Sequence, residues 1–219
     1  MNSVTFAFVG QTLTALPSGA LWWPAESLLV VSDLHLGKSE RIARRGGTLL
    51  PPYDTVETLT RLASDLKAIS ARTVLCLGDS FDDLMAGEAL DDNARDALRA
   101  LQAGRRWLWL EGNHDPGPLD FKGEHLAEVS IGPITFRHIA TREAGAGEVS
   151  GHYHPKAKLQ GGSRPCFMAD EGRLILPAYG CYTGGLDWTA PVLRTLFADR
   201  ALAYLTGRRV LTVPVPRAA

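Results

Sequence analysis

Side chains that bind metals or transfer protons follow several short apolar runs of this sequence. In chain order they are D-L-H at 33–35, G-D at 78–79, G-N-H-D at 112–115, a histidine at 138 and G-H-Y-H at 151–154. Carboxylate, amide and imidazole groups are ligands for divalent cations, and carboxylate and imidazole also transfer protons. Each short motif alone is commonplace. Their recurrence after five apolar runs predicts one shared site.

Seven of these residues are candidate metal ligands: Asp33, His35, Asp79, Asn113, His138, His152 and His154. Seven ligands are too many for one tetrahedral zinc and suit two ions that share a carboxylate. Because the set contains no thiolate, it is suited to Mn²⁺, Fe or Zn²⁺, and two Mn²⁺ ions are expected. Two such ions lower the pKa of a bound water to about 7, and the resulting hydroxide attacks phosphorus in line.

The elements between the motifs predict a parallel sheet at whose edge these ligands converge. Continuous apolar runs at 27–32, 73–77 and 106–110 are typical of strands buried on both faces. A helix is predicted to begin at Asp54, which is the expected N-cap and forms a capping box with Glu57. Its apolar face carries Val56, Leu59, Ala63, Leu66 and Ile69. A second helix is predicted over 91–103. Carboxyl ends of parallel strands line one crevice, where sites form.

Local backbone geometry also bears on how the ligands meet. Alternate residues of an extended segment point the same way, so Asp33 and His35 are expected to face one ion together, as are His152 and His154. Glycines precede Asp79, Asn113 and His152 in the chain. Such glycines allow a sharp turn and a close approach of the backbone to an ion.

The two ends of the chain show other patterns. Residues up to 23 alternate around turns and predict a β-hairpin. The last third is strand-rich, with a helix predicted over 192–202. Asp82 and Asp83 are interpreted mainly as helix caps, with hydrogen bonding to metal ligands as the alternative. The five tryptophans are assigned to packing, although base stacking by Trp188 stays open.

Composition limits the class of protein. The chain has 219 residues, 45% of them hydrophobic and 21% charged, and a formal net charge of −1. No apolar run approaches the ~20 residues of a membrane helix, and the first residues do not predict a signal peptide. Three cysteines without C-x-x-C spacing indicate neither a disulfide framework nor a thiolate site. We therefore expect one domain, residues 1–219, in a cytoplasmic protein without membrane association.

The ordered motifs D-x-H, G-D, G-N-H-D, H and G-H-x-H resemble those of the calcineurin-like metallophosphoesterases. One departure is Ile139 after His138, where that family usually has glycine. The resemblance implies an α/β fold, a four-layer αββα sandwich of two mixed sheets with helices outside. It also implies that Asp33, His35, Asp79 and His154 hold one metal and that Asp79, Asn113, His138 and His152 hold the other. His114 is then a catalytic acid or electrostatic partner of the phosphate, steadied by Asp115.

Segments that flank the motifs support a narrower resemblance. They are SDLHLGKSERIARRG, LLPPYDTVETLTRL, SGHYHPKAKL, RPCF and LPAYGCYTGGL. These are similar to the bacterial DNA-ligase-associated metallophosphoesterases, a group of DNA-damage-response endonucleases. The resemblance implies a DNA substrate and association with a DNA ligase and a helicase in repair. It does not define an oligomeric state.

Two basic clusters follow the motifs and are candidates for contacts with a nucleic-acid backbone. Lys38, Arg41, Arg44 and Arg45 come after D-L-H, and Lys156, Lys158 and Arg164 come after G-H-Y-H. Solvated loops are the alternative interpretation of both clusters.

The leading hypothesis is a binuclear phosphodiesterase or nuclease acting on DNA. A phosphoesterase for nucleotides or other small phosphoesters uses the same residues and is one alternative. A metal-bound repair scaffold without catalysis is another, although such a protein typically loses ligands that this chain retains.

Overall fold

Two sheets form the centre of the fold in this computed structural model, which describes residues 2–44, 46, 53–117, 120–143, 145–198 and 200–216. In chain order, the first sheet contains β1 (Val4–Phe8), β2 (Gln11–Ala15), β3 (Leu21–Trp23), β4 (Leu28–Val31), β5 (Thr73–Cys76), β6 (Arg106–Leu110) and β7 (Glu124–Leu126). Strands β1 to β4 pair antiparallel, and β4 to β7 pair parallel. The predicted hairpin and parallel strands are therefore present in one mixed sheet.

The second sheet is built from the C-terminal half of the chain. Its strands are β8 (Glu128–Ile131), β9 (Ile134–Arg137), β10 (Glu148–Ser150), β11 (Lys156–Leu159), β12 (Gly162–Ala169), β13 (Arg173–Ile175), β14 (Leu202–Leu205) and β15 (Leu211–Pro214). The order is β15-β14-β12-β13-β10-β9-β8, and β11 pairs with β12 outside this path. Because β10 runs parallel to both β9 and β13, this sheet is mixed as well.

Successive side chains of the buried strands point alternately to the two faces of the sheet, and so contribute to two separate core layers. In β6, Leu108 and Leu110 face the second sheet, whereas Trp107 and Trp109 face the helices. This explains why β6 is apolar at every position after Arg106, since both of its faces are covered there. The core between the sheets also contains Phe167 from β12. The two-sheet architecture predicted from the sequence is confirmed.

Helices cover the two outer faces unequally. The helices are α1 (Lys38–Arg44), α2 (Asp54–Ala68), α3 (Leu84–Ala89), α4 (Asp92–Gln102) and α5 (Pro191–Arg194). The longer α2 and α4 pack on the first sheet, while the second sheet is covered by the four-residue α5 and by loops. The predicted helix over 192–202 is thus wrong, because the chain leaves the helical conformation after Arg194 and enters β14 at Leu202.

Helix α2 differs from its prediction in detail. Asp54 is not the N-cap, because Tyr53 holds that position without a side-chain hydrogen bond, and the Asp54 carboxylate instead accepts from the backbone and hydroxyl of Ser39. Val56 is 55% exposed, whereas Leu62 is fully buried. The buried face of α2 is therefore displaced from the predicted one, because the docked helix buries Thr55, Thr58 and Leu62.

A buried ion pair ties the second sheet to its covering loops. The Nε of Arg173 donates to Glu148 Oε1 at 2.8 Å, and the Arg173 guanidinium also donates to the carbonyl oxygens of Thr141 and Leu196. The second Glu148 oxygen accepts the Thr141 N–H at 3.0 Å. Both charges are at least nine-tenths buried, so removal of one partner leaves the other desolvated.

Substitution of Glu148 by alanine should therefore lower the free energy of unfolding by about 3–5 kcal/mol in urea titrations. A matched control is Glu128→Ala, which removes a carboxylate that is 56% exposed and 3.0 Å from Arg137. That exposed pair should contribute about 0–1 kcal/mol. Equal losses in the two variants would contradict the role assigned to the buried pair.

Candidate metal centre

The seven candidate ligands follow strands of both sheets at one edge of the molecule. Asp33, Asp79 and Asn113 come after the parallel neighbours β4, β5 and β6, and His138 and His152 come after the parallel neighbours β9 and β10. Backbone hydrogen bonds continue beyond the strands, for example from the His35 N–H to the Asp79 carbonyl at 2.9 Å. The two parallel regions thus deliver these residues to one crevice.

The first group contains Asp33, His35 and His154, one ligand atom of each lying within 4.8 Å of the others. The Asp33 Oδ1 is 3.0 Å from the His154 Nε2. These are three of the four residues that the sequence assigned to the first ion. Asp33 and His35 are almost completely buried, so an ion held here is shielded from bulk water on one side.

The second group contains Asp79, His138 and His152, also within 4.8 Å of one another. Asn113 joins it through its Oδ1, which is 3.0 Å from His138 Nε2. The Asp79 Oδ2 lies 3.4 Å from His138 Nε2 and 3.9 Å from His35 Nε2. Asp79 therefore faces both groups, as a bridging carboxylate must.

In both Asp33 and Asp79, one carboxylate oxygen accepts hydrogen bonds from the protein and the other faces the crevice. The Asp33 Oδ2 accepts the Ser32 hydroxyl and, at 3.0 Å, the His152 N–H, which leaves Oδ1 for the crevice. The Asp79 Oδ1 accepts the His114 N–H at 2.8 Å, which leaves Oδ2. A carboxylate that is anchored in this way needs little rearrangement to receive a cation.

Three imidazoles are anchored through Nδ1. The acceptors are Asp82 Oδ1 for His35, the Leu77 carbonyl for His138 and the Asp82 carbonyl for His114, each at 2.8 Å. Because these oxygens only accept, each Nδ1 carries a proton and Nε2 is the nitrogen available to the crevice. This second hydrogen bond is the usual way in which proteins orient a metal-binding histidine.

Buried polar atoms without partners test whether this site fits divalent ions. Within the described residues, the buried atoms Asp33 Oδ1, His35 Nε2 and His154 Nε2 lack a hydrogen bond of good geometry, although Asp33 Oδ1 and His154 Nε2 lie 3.0 Å apart as an ion pair. Unsatisfied buried polar atoms cost about 1–3 kcal/mol each, so three in one place require an explanation. One oxygen and two nitrogens facing one space are a donor set that divalent ions accept, and the residues therefore fit such a group.

The backbone at these ligands differs from the extended conformation predicted. Asp33, His35, Asp79, His152 and His154 all have φ between +45° and +67°. A left-handed backbone is uncommon for residues other than glycine and concentrates at functional sites. The expectation that alternate residues converge is met, but through successive left-handed turns and not through an extended strand.

Two glycines are required by close packing at the ligands. A Cβ on Gly112 would lie 2.1 Å from the Asp79 backbone nitrogen, and a Cβ on Gly151 would lie 1.8 Å from the Ser32 hydroxyl oxygen. The glycines were expected to let the backbone approach an ion closely, but here they let two protein segments approach each other. The smallest residue is needed where the loops after β6 and β10 cross the loops after β5 and β4.

Charges in the crevice shift several pKa values. Burial opposes ionisation of Asp79, yet the hydrogen bond and charge of His138 lower the pKa of Asp79 to about 2. Burial likewise opposes protonation of His138, but Asp79 and Asp33 raise the pKa of His138 to about 9. These opposite shifts mean that, without an added cation, His138 itself carries the balancing positive charge.

Asp82 takes the alternative role considered from the sequence, a hydrogen bond to a candidate metal ligand, and Asp115 binds backbone groups of two loops. Asp82 is completely buried, and its carboxylate binds His35, Arg41 and, at 3.6 Å, Lys38; Asp83 is the helix cap, on α3. The predicted support of His114 by Asp115 stays a prediction of an indirect role, because the His114 ring is anchored by the Asp82 carbonyl. The Asp115 carboxylate accepts three backbone N–H groups, those of residues 80, 81 and 112, and so joins the loops after β5 and β6.

The basic candidates are mostly bound to protein oxygens. Lys38 and Arg41 interact with Asp82, whereas Arg45 and the Arg44 side chain lie outside the described residues. Lys156 Nζ donates to the Thr183 carbonyl at 2.9 Å, and Arg164 donates to the Thr206 carbonyl. Trp188 is 6% exposed in the outer core of the second sheet, which removes base stacking as its role.

Comparison with known proteins agrees with this geometry. A family model described as calcineurin-like phosphoesterase matches residues 27–188, so the chain belongs to that family. The family uses divalent metals, and this chain is a metal-dependent phosphoester hydrolase. Among solved structures it is similar to the crystal structure of Pseudomonas putida nuclease MPE, with a TM-score of 0.78, 28% identity and coverage of 96% of this chain and 100% of that chain.

No curated protein sequence matched the chain. In the described part of the chain, no helix has the length and apolar character needed to cross a membrane.

Substitution of Gly151 by alanine tests whether loop packing sets metal affinity. The added Cβ would lie 2.6 Å from Asp33 Oδ2 and displace that carboxylate, so Mn²⁺ binding should weaken roughly 10–100-fold. Calorimetric titration of the metal-free protein measures this. Gly184→Ala, where a Cβ meets nothing within 4 Å, is the control and should bind normally. Unchanged affinity in the Gly151 variant would refute the argument.

Proposed function

We propose that the chain is a binuclear phosphodiesterase that hydrolyses DNA. The observation that supports this most directly is the pair of donor groups joined by Asp79, in each of which one ligand atom of every residue lies within 4.8 Å of the others. In the proposed assignment, Asp33, His35, Asp79 and His154 hold one ion. Asp79, Asn113, His138 and His152 hold the second, and residues 1–219 act as one domain. The similarity to a nuclease supports a nucleic-acid substrate.

The residues around the ions have separate tasks in this proposal. A pair of divalent ions, most simply Mn²⁺, supplies hydroxide at neutral pH and positive charge next to the phosphate. Asn113 is exposed at the crevice, where its amide can neutralise charge on a phosphate oxygen. Asp79 also receives the His114 N–H, and so fixes that residue beside the second group.

His114 is the proposed acid. Its Nδ1–H donates to the Asp82 carbonyl, so Nε2 is the nitrogen that faces substrate. When Nε2 is protonated, it donates to the leaving oxygen or stabilises its charge. Asp115 acts indirectly in this scheme, because it holds the backbone on both sides of the crevice. His114 also lies within 4.8 Å of His35 and Asp79, so metal binding and catalysis must be measured separately.

Alanine variants at Asp79 and His114 separate these tasks. Asp79→Ala should lose bound metal and activity together, because it removes the carboxylate shared by both groups. His114→Ala should keep its metal and lose about 10²–10⁴-fold in turnover. Metal content by mass spectrometry and hydrolysis of a chromogenic phosphodiester are the two measurements.

A histidine outside the metal centre serves as the control for these variants. His125 lies in β7 and belongs to neither donor group, so His125→Ala should match the parent protein in metal content and turnover. If the Asp79 and His114 variants proved equally loaded and equally active, the assignment would fail.

Substrate class is tested with manganese-loaded protein on single-stranded, nicked and 3′-blocked DNA, alongside nucleotide monoesters. Cleavage of internal phosphodiesters in DNA is the expected result, and the Asp79→Ala preparation controls for contaminating nucleases. Hydrolysis of the monoesters alone would overturn the DNA proposal and favour a small phosphoester. A role in ligase-associated repair, with a DNA ligase or helicase as partner, is supported only by the segments that flank the motifs.

A further inference from the structure

Positive backbone φ values identify one exposed residue that the metal centre does not explain. Within the described residues, eight non-glycine residues have positive φ, and five of them are the candidate ligands discussed above. Val9 forms the turn between β1 and β2, and Ser27 ends a one-turn 3₁₀ helix. The remaining one is Tyr182, with φ +56°. Such a backbone is costly for a bulky side chain and persists where the surroundings impose it.

Tyr182 lies in a strap, residues 180–186, that borders the first donor group. At one end the Gly180 N–H donates to the Asp33 carbonyl at 3.0 Å. At the other end a Cβ on Gly185 would lie 2.2 Å from the His154 carbonyl oxygen, so the backbones are in direct contact. The strap therefore spans from the loop of Asp33 to the loop of His154, beside the position proposed for one ion.

Hydrogen bonds fix the strap on both sides of the tyrosine. The Cys181 N–H donates to Thr58 Oγ1 at 3.1 Å, and the Thr183 hydroxyl donates to the Gly180 carbonyl at 3.1 Å. The Thr183 carbonyl in turn accepts from Lys156. The turn that carries Tyr182 is thus held by its neighbours and does not depend on the aromatic ring.

The ring itself contributes little to the core. Tyr182 is 42% exposed, and Leu186, four residues along the strap, is 37% exposed. Glycine or asparagine would adopt the same backbone with less strain. An exposed aromatic side chain is nevertheless held at a strained position in a strap whose two ends contact the loops of Asp33 and His154. Rigid aromatic residues that border a phosphodiester site are well suited to stack on nucleobases.

We propose that Tyr182 is a specificity-determining residue that stacks on an unpaired nucleobase next to the scissile phosphate, with Leu186 extending the apolar surface. This inference rests on the proposed nuclease function and adds which side chain contacts a base beside the scissile phosphate. Stacking on an aromatic side chain does not discriminate strongly among the four bases, so the preference is for the presence of a base.

The test compares two oligonucleotides of equal length and charge, one single-stranded with bases and one made wholly of abasic tetrahydrofuran units. The parent protein should cleave the base-containing strand with a kcat/KM about tenfold higher. Tyr182→Asn, which removes the ring and tolerates the left-handed backbone, should bring this ratio close to one. Its cleavage of the abasic strand and its Mn²⁺ affinity should stay unchanged.

Two matched variants complete the experiment. Tyr182→Phe retains the ring and should retain the ratio, whereas Leu202→Ala removes an exposed apolar side chain from β14 and should also leave the ratio unchanged. If Tyr182→Asn kept the parent ratio of kcat/KM between the base-containing and abasic strands, the stacking inference would be wrong and the proposed function would stand. The same holds if kcat/KM fell equally on both strands. Failure of the parent protein to cleave either strand would instead overturn the proposed function.

Discussion

The structure depends on holding two carboxylates and four imidazoles close together with several of their polar atoms unpartnered. Five of these residues have a left-handed backbone, a conformation that costs about 1–3 kcal/mol at a non-glycine position. A buried polar atom without a hydrogen bond, such as His35 Nε2, adds a desolvation cost of similar size. The site is therefore unfavourable on its own, and the two-sheet core must offset it.

The offsetting interactions leave the crevice-facing atoms untouched. Strands β4, β5 and β6 are buried on both faces, so the loops that follow them begin from rigid positions. The Asp115 carboxylate then binds backbone N–H groups of two neighbouring loops, and Gly112 allows these loops to come into contact. Because Asp82 orients both His35 and, through its carbonyl, His114, one buried residue couples a candidate ligand to the proposed acid.

The sequence predicts the parts of the site that depend on strand direction. Apolar runs ending in Asp33, Asp79 and Asn113 are sufficient to bring these residues together, because parallel neighbours end at the same edge. Contacts of Asp82 and Asp115 connect loops that are distant in sequence, so no local pattern reveals them. The exposure of Val56 and the burial of Leu62 depend on how α2 docks, and periodicity alone does not fix that rotation. The left-handed backbone of the five ligands likewise occurs where loops distant in sequence meet, so a local pattern does not predict it.

The positive charges of the crevice lead to a further conclusion about how substrate is bound. Arg41 and Lys38 interact with the buried Asp82 carboxylate, and Lys156 and Arg164 donate to backbone carbonyls. These four residues bind groups of the protein itself, so their charge is only partly available to a phosphate backbone, whereas Lys158 is exposed. With a net charge of −1, the chain has no general attraction for nucleic acid either. Among the basic candidates that the structure describes, most are therefore committed to the protein. In the proposed enzyme the ions supply charge next to the scissile phosphate, and exposed apolar groups add contacts that do not depend on charge.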